Sequence, residues 1–268
     1  MQLLCQTTQQ EKGENMNHVW LTASVLAASA FVAACGGGDG GSTPTATAAA
    51  EGYYQGTVST GTQFQLLVLE NDQFYALIGN TDVQGVFRVV SLVEGKGTSN
   101  NGSFSASNVK EYANNGLVTT ETISASYSPK VSIAGNVASP GNSVSFTGTA
   151  PVAGNYTYDI PATLSSVSGN WSGATLAGEA VNFSVGSSGA ISGTSSLGCS
   201  FTGTAAPRAS GKNVLDVSVT FGGAPCALPG LTGQGIAVTT LLPNGTRQFL
   251  IALTNTARSA GTVVFARR

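Results

Sequence analysis

The chain has 268 residues, a net charge of −2 and 9% charged residues, against the ~25% of an average soluble domain. Hydrophobic residues make up 41% and glycine fills 35 positions, which excludes the apolar-poor, highly charged composition of disordered proteins. The small net charge gives no electrostatic basis for binding nucleic acid. Abundant Gly, Ser and Thr with little Lys or Glu favour short strands joined by tight turns over helices.

The first element is an apolar leader. From Met16 a short polar start precedes an apolar run over residues 19–34, and small residues then lead to Cys35. This order is typical of a signal peptide, and the run is shorter than the ~20 residues of a membrane-spanning helix. We expect Met16 to be the true start, because residues 1–15 carry charges and do not look like a leader. Residues 1–34 are therefore predicted to be removed.

Val32-Ala33-Ala34-Cys35 resembles the lipobox of bacterial lipoproteins. The resemblance implies cleavage before Cys35 and attachment of acyl chains such as palmitate to it, which would anchor the chain to a membrane. Gly36 stands where an aspartate would imply retention in the inner membrane, so the resemblance implies the outer membrane. The periplasmic and cell-surface sides stay open. Residues 35–50 are rich in Gly and Thr and are predicted to form a flexible tether.

Beyond residue 51, apolar and polar residues alternate as in β-strands. The clearest strand covers 215–221. The hairpin formed by 64–70 and 74–79 is apolar on both faces, so we expect both faces to be buried. Asn-Gly pairs at 101, 115 and 244 predict hairpin turns, because these residues tolerate positive φ. Further strands are predicted at 84–93, 102–108, 119–128, 131–138, 143–149, 179–186, 189–195, 199–205, 234–241, 246–253 and 260–267.

Short sequence echoes divide this region into two parts. Gly52-Tyr-Tyr-Gln-Gly56 resembles Gly169-Asn-Trp-Ser-Gly173, and two segments of the form Phe-Thr-Gly-Thr-Ala begin at Phe146 and Phe201. Ile133-Ala-Gly and Ile191-Ser-Gly lie upstream of the latter pair. Two related units explain these echoes, and so do chance matches in a Gly/Thr/Ser-rich chain. We predict an all-β fold with units at 51–160 and 161–268, each a small antiparallel barrel of about eight strands or, alternatively, a β-sandwich.

Cys199 and Cys226 are predicted to form a disulfide, the default in an oxidising cell envelope. The chain-entropy model gives such a cross-link a stabilisation of about 3.5 kcal/mol. The cysteines have no CxxC spacing, so we expect no metal site and no cofactor.

Candidate chemistry is sparse. His18, the only histidine, lies in the leader, which excludes Ser-His-Asp and Cys-His catalysis from the mature chain and predicts that it is not an enzyme. Acidic residues, among them Glu111 and Glu121, are explained as solvated strand faces and turn residues. Three aromatic residues either line a binding mouth or fill a barrel core: Tyr53, Tyr54 and Trp171.

The lipobox, the tether and Gly/Phe-rich strands such as Gly102-Ser-Phe-Ser-Ala-Ser107 resemble the surface lipoproteins of Gram-negative bacteria. The types concerned are transferrin-binding protein B and the factor H-binding lipoproteins; the similarity to uncharacterised envelope lipoproteins is closer. The resemblance implies a membrane contact through the lipid and a protein partner of unknown identity.

The function predicted from these features is a non-catalytic binding module of the cell envelope. The alternatives are a structural or assembly lipoprotein of the outer membrane, and a carboxylate-based glycan hydrolase. The hydrolase requires two facing acids in a cleft.

Overall fold

A computed structural model describes residues 49–83, 86–151, 156–242 and 244–268, and in these residues the chain forms sixteen antiparallel strands. Strands β1 to β8 pair in sequence order, and β8 returns to pair with β1. Strands β9 to β16 form a second barrel, which closes through β16 and β9. The prediction of two eight-stranded antiparallel barrels is confirmed, and the sandwich alternative is wrong because the first and last strands of each unit pair.

The strands of the first barrel are β1 Gly52–Val58, β2 Gln63–Val68, β3 Gln73–Thr81, β4 Phe87–Asn100, β5 Ser103–Ala113, β6 Val118–Ser128, β7 Ser132–Ser139 and β8 Asn142–Thr149. Those of the second are β9 Gly169–Thr175, β10 Ala180–Val185, β11 Ala190–Ser195, β12 Ser200–Pro207, β13 Leu215–Phe221, β14 Thr232–Leu241, β15 Arg247–Asn255 and β16 Gly261–Arg267. A short 3₁₀ helix, Leu164–Ser166, precedes β9. Within the described ranges, no helix is long and apolar enough to cross a bilayer.

Glycines permit the strong curvature that closes each barrel. Gly56 of β1 pairs with Gly148 of β8, and a methyl group at Gly56 would overlap the carbonyl oxygen of Thr147. Gly173 of β9 has the same relation to the carbonyl of Phe265 in β16. A repeated pattern of corner-forming glycines is a requirement of small barrels. Other strand glycines whose Cβ would overlap a neighbouring strand's carbonyl oxygen are Gly79, Gly135, Gly203 and Gly235.

An apolar interface joins the outer surfaces of the two barrels. Its buried residues come from β2 to β5, from β14 to β16 and from the segments connecting the strands. The hairpin β2–β3 places Leu66 and Phe74 in the first barrel's core and Leu67 and Tyr75 in the interface. The predicted burial of both faces of this hairpin is confirmed, because the second barrel covers its outer face.

Ion pairs surround this interface. The Arg258 guanidinium lies 2.5 Å from the carboxylate of Glu94, whose side chain is 6% exposed. Arg208 of the second barrel lies 2.8 Å from Glu70 of the first. Each acid that is withdrawn from solvent here has a basic partner, as buried charges require.

The echoed segments form two hairpins with the same pairing. In β7–β8, Ile133 lies opposite Gly148 and Gly135 opposite Phe146. In β11–β12, the corresponding pairs are Ile191 with Gly203 and Gly193 with Phe201. The hairpin β7–β8 is the last of the first barrel, whereas β11–β12 is the third of the second barrel. These echoes therefore do not mark equivalent positions. The Gly52 and Gly169 echoes do, since they form β1 and β9.

The predicted disulfide between Cys199 and Cys226 is present in the second barrel. It joins the start of β12 to the long connection between β13 and β14, and closes a loop of 27 positions.

Gly56→Ala and Gly173→Ala are each expected to lower the free energy of unfolding by about 2 kcal/mol or more, because the added methyl group must displace backbone of the neighbouring strand. Gly223→Ala is the control, since a Cβ there meets no atom within 4 Å. Urea unfolding followed by tryptophan fluorescence and far-UV circular dichroism checks this. Equal stability of all three variants would contradict the closure argument.

Candidate binding site

The first barrel contains a cavity of about 260 Å³ that extends from its interior to one end. Apolar side chains from seven strands form most of its wall. The lining also includes Thr60 and Thr62 from the β1–β2 connection and Asn142 at the start of β8. The volume is slightly below the ~300–1,000 Å³ of typical small-molecule pockets. A concave apolar space with a few polar groups is the usual form of a small-ligand site.

The two barrels differ in how side chains fill them. Trp171, Phe183 and Phe249 pack together in the second barrel, with ring centroids 5.1 and 6.1 Å apart, beside a cavity of about 60 Å³. The first barrel also has aromatic rings in its core, among them Phe64 and Phe74, and both cores include buried alanines. Eight strands enclose just enough room for side chains or one small ligand. In the first barrel the side chains leave a cavity of about 260 Å³.

Two glutamates are the only charged residues among the described residues that line this cavity: Glu111 of β5 and Glu121 of β6. Glu111 lies opposite Thr119, and Glu121 lies opposite Val109. Opposed residues of an antiparallel pair point to the same side of the sheet. Because Val109 is fully buried in the core of the first barrel, all four side chains lie on its inner face.

The two carboxyl groups interact with each other. Ser91 Oγ donates a 2.6 Å hydrogen bond to Glu111 Oε1. Burial, followed by the charge of Glu111 and a hydrogen bond to it, raises the pKa of Glu121 to about 7. A proton therefore resides on Glu121, which donates to Glu111.

The two carboxyl groups of the cavity have no basic partner. Among the described ion pairs, none joins Glu111 or Glu121 to a lysine or arginine. Thr119, on the same inner face, has a buried Oγ1 without a hydrogen-bond partner, but it does not belong to the cavity lining. The described residues also contain no cluster of three or more His, Cys, Asp or Glu side chains that could hold a metal ion. The cavity thus presents two carboxyl groups without a counter-ion from the described residues.

The three aromatic residues singled out by sequence lie in three different places. Tyr54 is fully buried in the first barrel, where its hydroxyl donates 3.0 Å to the carbonyl of Ala50. Trp171 is 1% exposed in the second barrel, and its Nε1 donates 2.7 Å to the carbonyl of Val167. Both bonds reach back four residues, so β1 and β9 begin in the same way and both rings serve as core.

Tyr53 lies between the barrels and contacts Tyr156 edge-on, with ring centroids 5.1 Å apart. Burial raises its pKa to about 12. None of the three aromatic residues belongs to the lining of the 260 Å³ cavity. Cys35, the predicted lipidation site, lies outside the described residues.

Glu111 and Glu121 are predicted from the sequence to lie on solvated strand faces or in turns, but the structure places them in the lining of the barrel cavity. The sequence does contain a sign of this position. Glu121 lies on the same face of β6 as Ile123, Ala125 and Tyr127, which are apolar and face inward. A charged residue on the apolar face of a strand is unusual and marks a candidate site.

A second concavity, of about 600 Å³, lies between the barrels. Its charged residues pair with one another: Arg208 with Asp216 and Glu70, and Arg258 with Glu94. Because these charges are already compensated, this cleft lacks the unmet polar groups of the barrel cavity. The cavity of the first barrel is therefore the better candidate.

No protein-family model and no curated protein matches the chain. Among solved structures, it is weakly similar to a mutant of transferrin-binding protein B from Haemophilus parasuis Hp5, with 9% identity over 80% of this chain and 66% of that chain, and a TM-score of 0.26. It is also weakly similar to isotype 1 transferrin-binding protein B from serogroup B Neisseria meningitidis. Here the identity is 11% over 77% of this chain and 58% of that chain, and the TM-score is 0.23. The chain spans less than two thirds of either structure. At these TM-scores the similarity does not bear on function.

The shared proton makes stability depend on pH. Because the folded pKa of Glu121 is raised from 4.5 to about 7, its protonated form stabilises the fold below pH 4.5, and this contribution is lost as pH rises through 7. Solvent screens this half-buried group, so we expect a loss of about 1 kcal/mol, or roughly 2–4 °C in Tm, between pH 5 and pH 8.

Glu121→Gln is expected to remove most of this loss, because its neutral amide can donate to Glu111 at both pH values. Thermal melts at pH 5 and pH 8 measure the effect. Glu179→Gln in the second barrel is the matched control and should keep the wild-type slope. Histidine does not interfere, since the only one is His18. A Glu121→Gln variant with the wild-type slope would contradict the shared proton.

Proposed function

We propose that this chain is a non-catalytic binding module of the cell envelope, anchored in the outer membrane through an acylated Cys35, and that a small ligand enters the open end of its first barrel. One observation carries the binding role: the interior of the first barrel contains a cavity of about 260 Å³ that has two carboxyl groups in an otherwise mostly apolar lining. A protein that served only as a scaffold would gain stability by filling that space.

The acid pair does not favour the glycan hydrolase. Retaining and inverting glycosidases hold their two carboxyl groups about 5–9.5 Å apart, so that the sugar or a water molecule fits between them. Glu111 and Glu121 are hydrogen-bonded to each other, which leaves no such space. The remaining role for the pair is to orient and select a ligand.

Ala76→Phe is expected to abolish binding of the apolar fluorescent probe N-phenyl-1-naphthylamine, because the ring of the new side chain would occupy the cavity that Ala76 lines. Thr122→Phe on the exposed face of β6 is the matched control and should bind as wild type. A fluorescence titration gives the dissociation constants. Weak binding by the wild type, or equal binding by both variants, would count against the cavity as the site and leave the scaffold role.

The anchor is tested separately. Replacement of Cys35 by Ser should release the protein from the membrane pellet after a high-salt wash, because one acyl-bearing residue provides the attachment. The intact mass of the wild type should include fatty acid. Undiminished sedimentation of the variant would mean that another part of the chain holds it to the membrane.

A further inference from the structure

We propose that the ligand of the first barrel is an organic cation: a short apolar body that carries a protonated amine, with the amine bound by Glu111 and Glu121. This inference rests on the proposed binding function and specifies its ligand class.

The charge of the cavity is uncompensated. Of the charged groups on neighbouring strands, Lys110 donates 2.5 Å to Thr120 on the outer surface, and Arg88 lies 2.8 Å from Asp82 at the β3–β4 connection. Neither belongs to the cavity lining. Glu111 is therefore the charged group that faces Glu121, and placing two carboxyl groups together in a half-buried site without a cation is unfavourable. A bound cation would supply the missing charge and displace the shared proton.

The hydrogen-bonding groups at this end fit an ammonium. An ionised carboxylate only accepts hydrogen bonds, whereas an ammonium has three donors and no acceptor. The two carboxylates of the lining offer oxygen acceptors to these donors. Thr119 lies opposite Glu111 in the β5–β6 register, but it does not belong to the cavity lining.

The rest of the cavity selects an apolar body. Phe64, Leu66, Phe74 and Ile78 line it together with Ile123, and no further charged side chain of the described lining enters it. An inorganic ion would leave this apolar space unused. Calcium prefers six to eight oxygen ligands, more than the polar end offers. An amphiphile with one cationic end uses both parts.

Isothermal titration at pH 8 with three ligands of equal length tests the proposal: octylammonium chloride, 1-octanol and sodium octanoate. We expect octylammonium to bind at least tenfold more tightly than octanol, and octanoate to bind more weakly than either. Lowering the pH to 5.5 should weaken octylammonium binding about tenfold, because the proton on Glu121 competes with it, while the ligand itself stays charged. Octanol binding should not change.

Glu121→Gln should lose the preference for octylammonium and keep octanol binding, which shows that the cavity is still folded. Glu179→Gln should behave as wild type. Equal affinity for octylammonium and octanol would overturn the cation assignment and leave the binding function intact. Binding of calcium chloride that displaces octylammonium and is lost in Glu121→Gln would overturn it in favour of an inorganic ion. If the barrel binds N-phenyl-1-naphthylamine but none of the three octyl ligands, the cation assignment is also overturned. If it does not bind N-phenyl-1-naphthylamine either, the proposed binding function is wrong.

Discussion

Close approach of backbone to backbone at the closing strands determines this structure. A meander of eight short strands becomes a barrel only if its first and last strands meet, and the sheet must bend sharply where they do. Gly56 and Gly173 allow this, because any larger residue would overlap a carbonyl of the facing strand. Closure removes exposed sheet edges. It also encloses an interior whose free volume depends on how the inward-facing side chains pack, and in the first barrel this packing leaves a cavity.

The same backbone plan therefore supports two different interiors. Trp171 and Tyr54 occupy equivalent places in β9 and β1, and each donates to a carbonyl four residues upstream. Beyond that common base, Trp171, Phe183 and Phe249 pack against one another in the second barrel, whereas the side chains of the first leave a cavity of about 260 Å³. The apolar interface and its ion pairs hold the barrels together without using either interior. The first barrel can therefore retain a cavity while the second barrel, which also contains the disulfide, contributes stability.

The sequence predicted the fold well because barrels depend on local signals. Alternation located the strands, and Asn-Gly pairs located turns such as that at Asn101, where both residues have positive φ. The prediction failed where strands were longer than their apolar patterns: the strand predicted at 84–93 corresponds to β4, which continues to Asn100 as a polar extension paired with β5. The site was missed for a related reason. Whether Glu121 faces solvent or the interior depends on register and on the bulge after Ala106, which no local pattern reveals.

The contrast between the acids of this protein is the strongest argument for a ligand. Glu94, almost fully buried at the interface, has Arg258 at 2.5 Å, and Glu70 has Arg208 at 2.8 Å. Both acids at the interface thus have a basic partner. Inside the first barrel, Glu111 and Glu121 line a mostly apolar cavity, and none of the described ion pairs gives either of them a cation. Residues that conflict with the pattern of their own strand occur mainly at functional sites. Because Glu111 and Glu121 lie in a cavity that is open at one end, their simplest partner is a molecule that enters from outside.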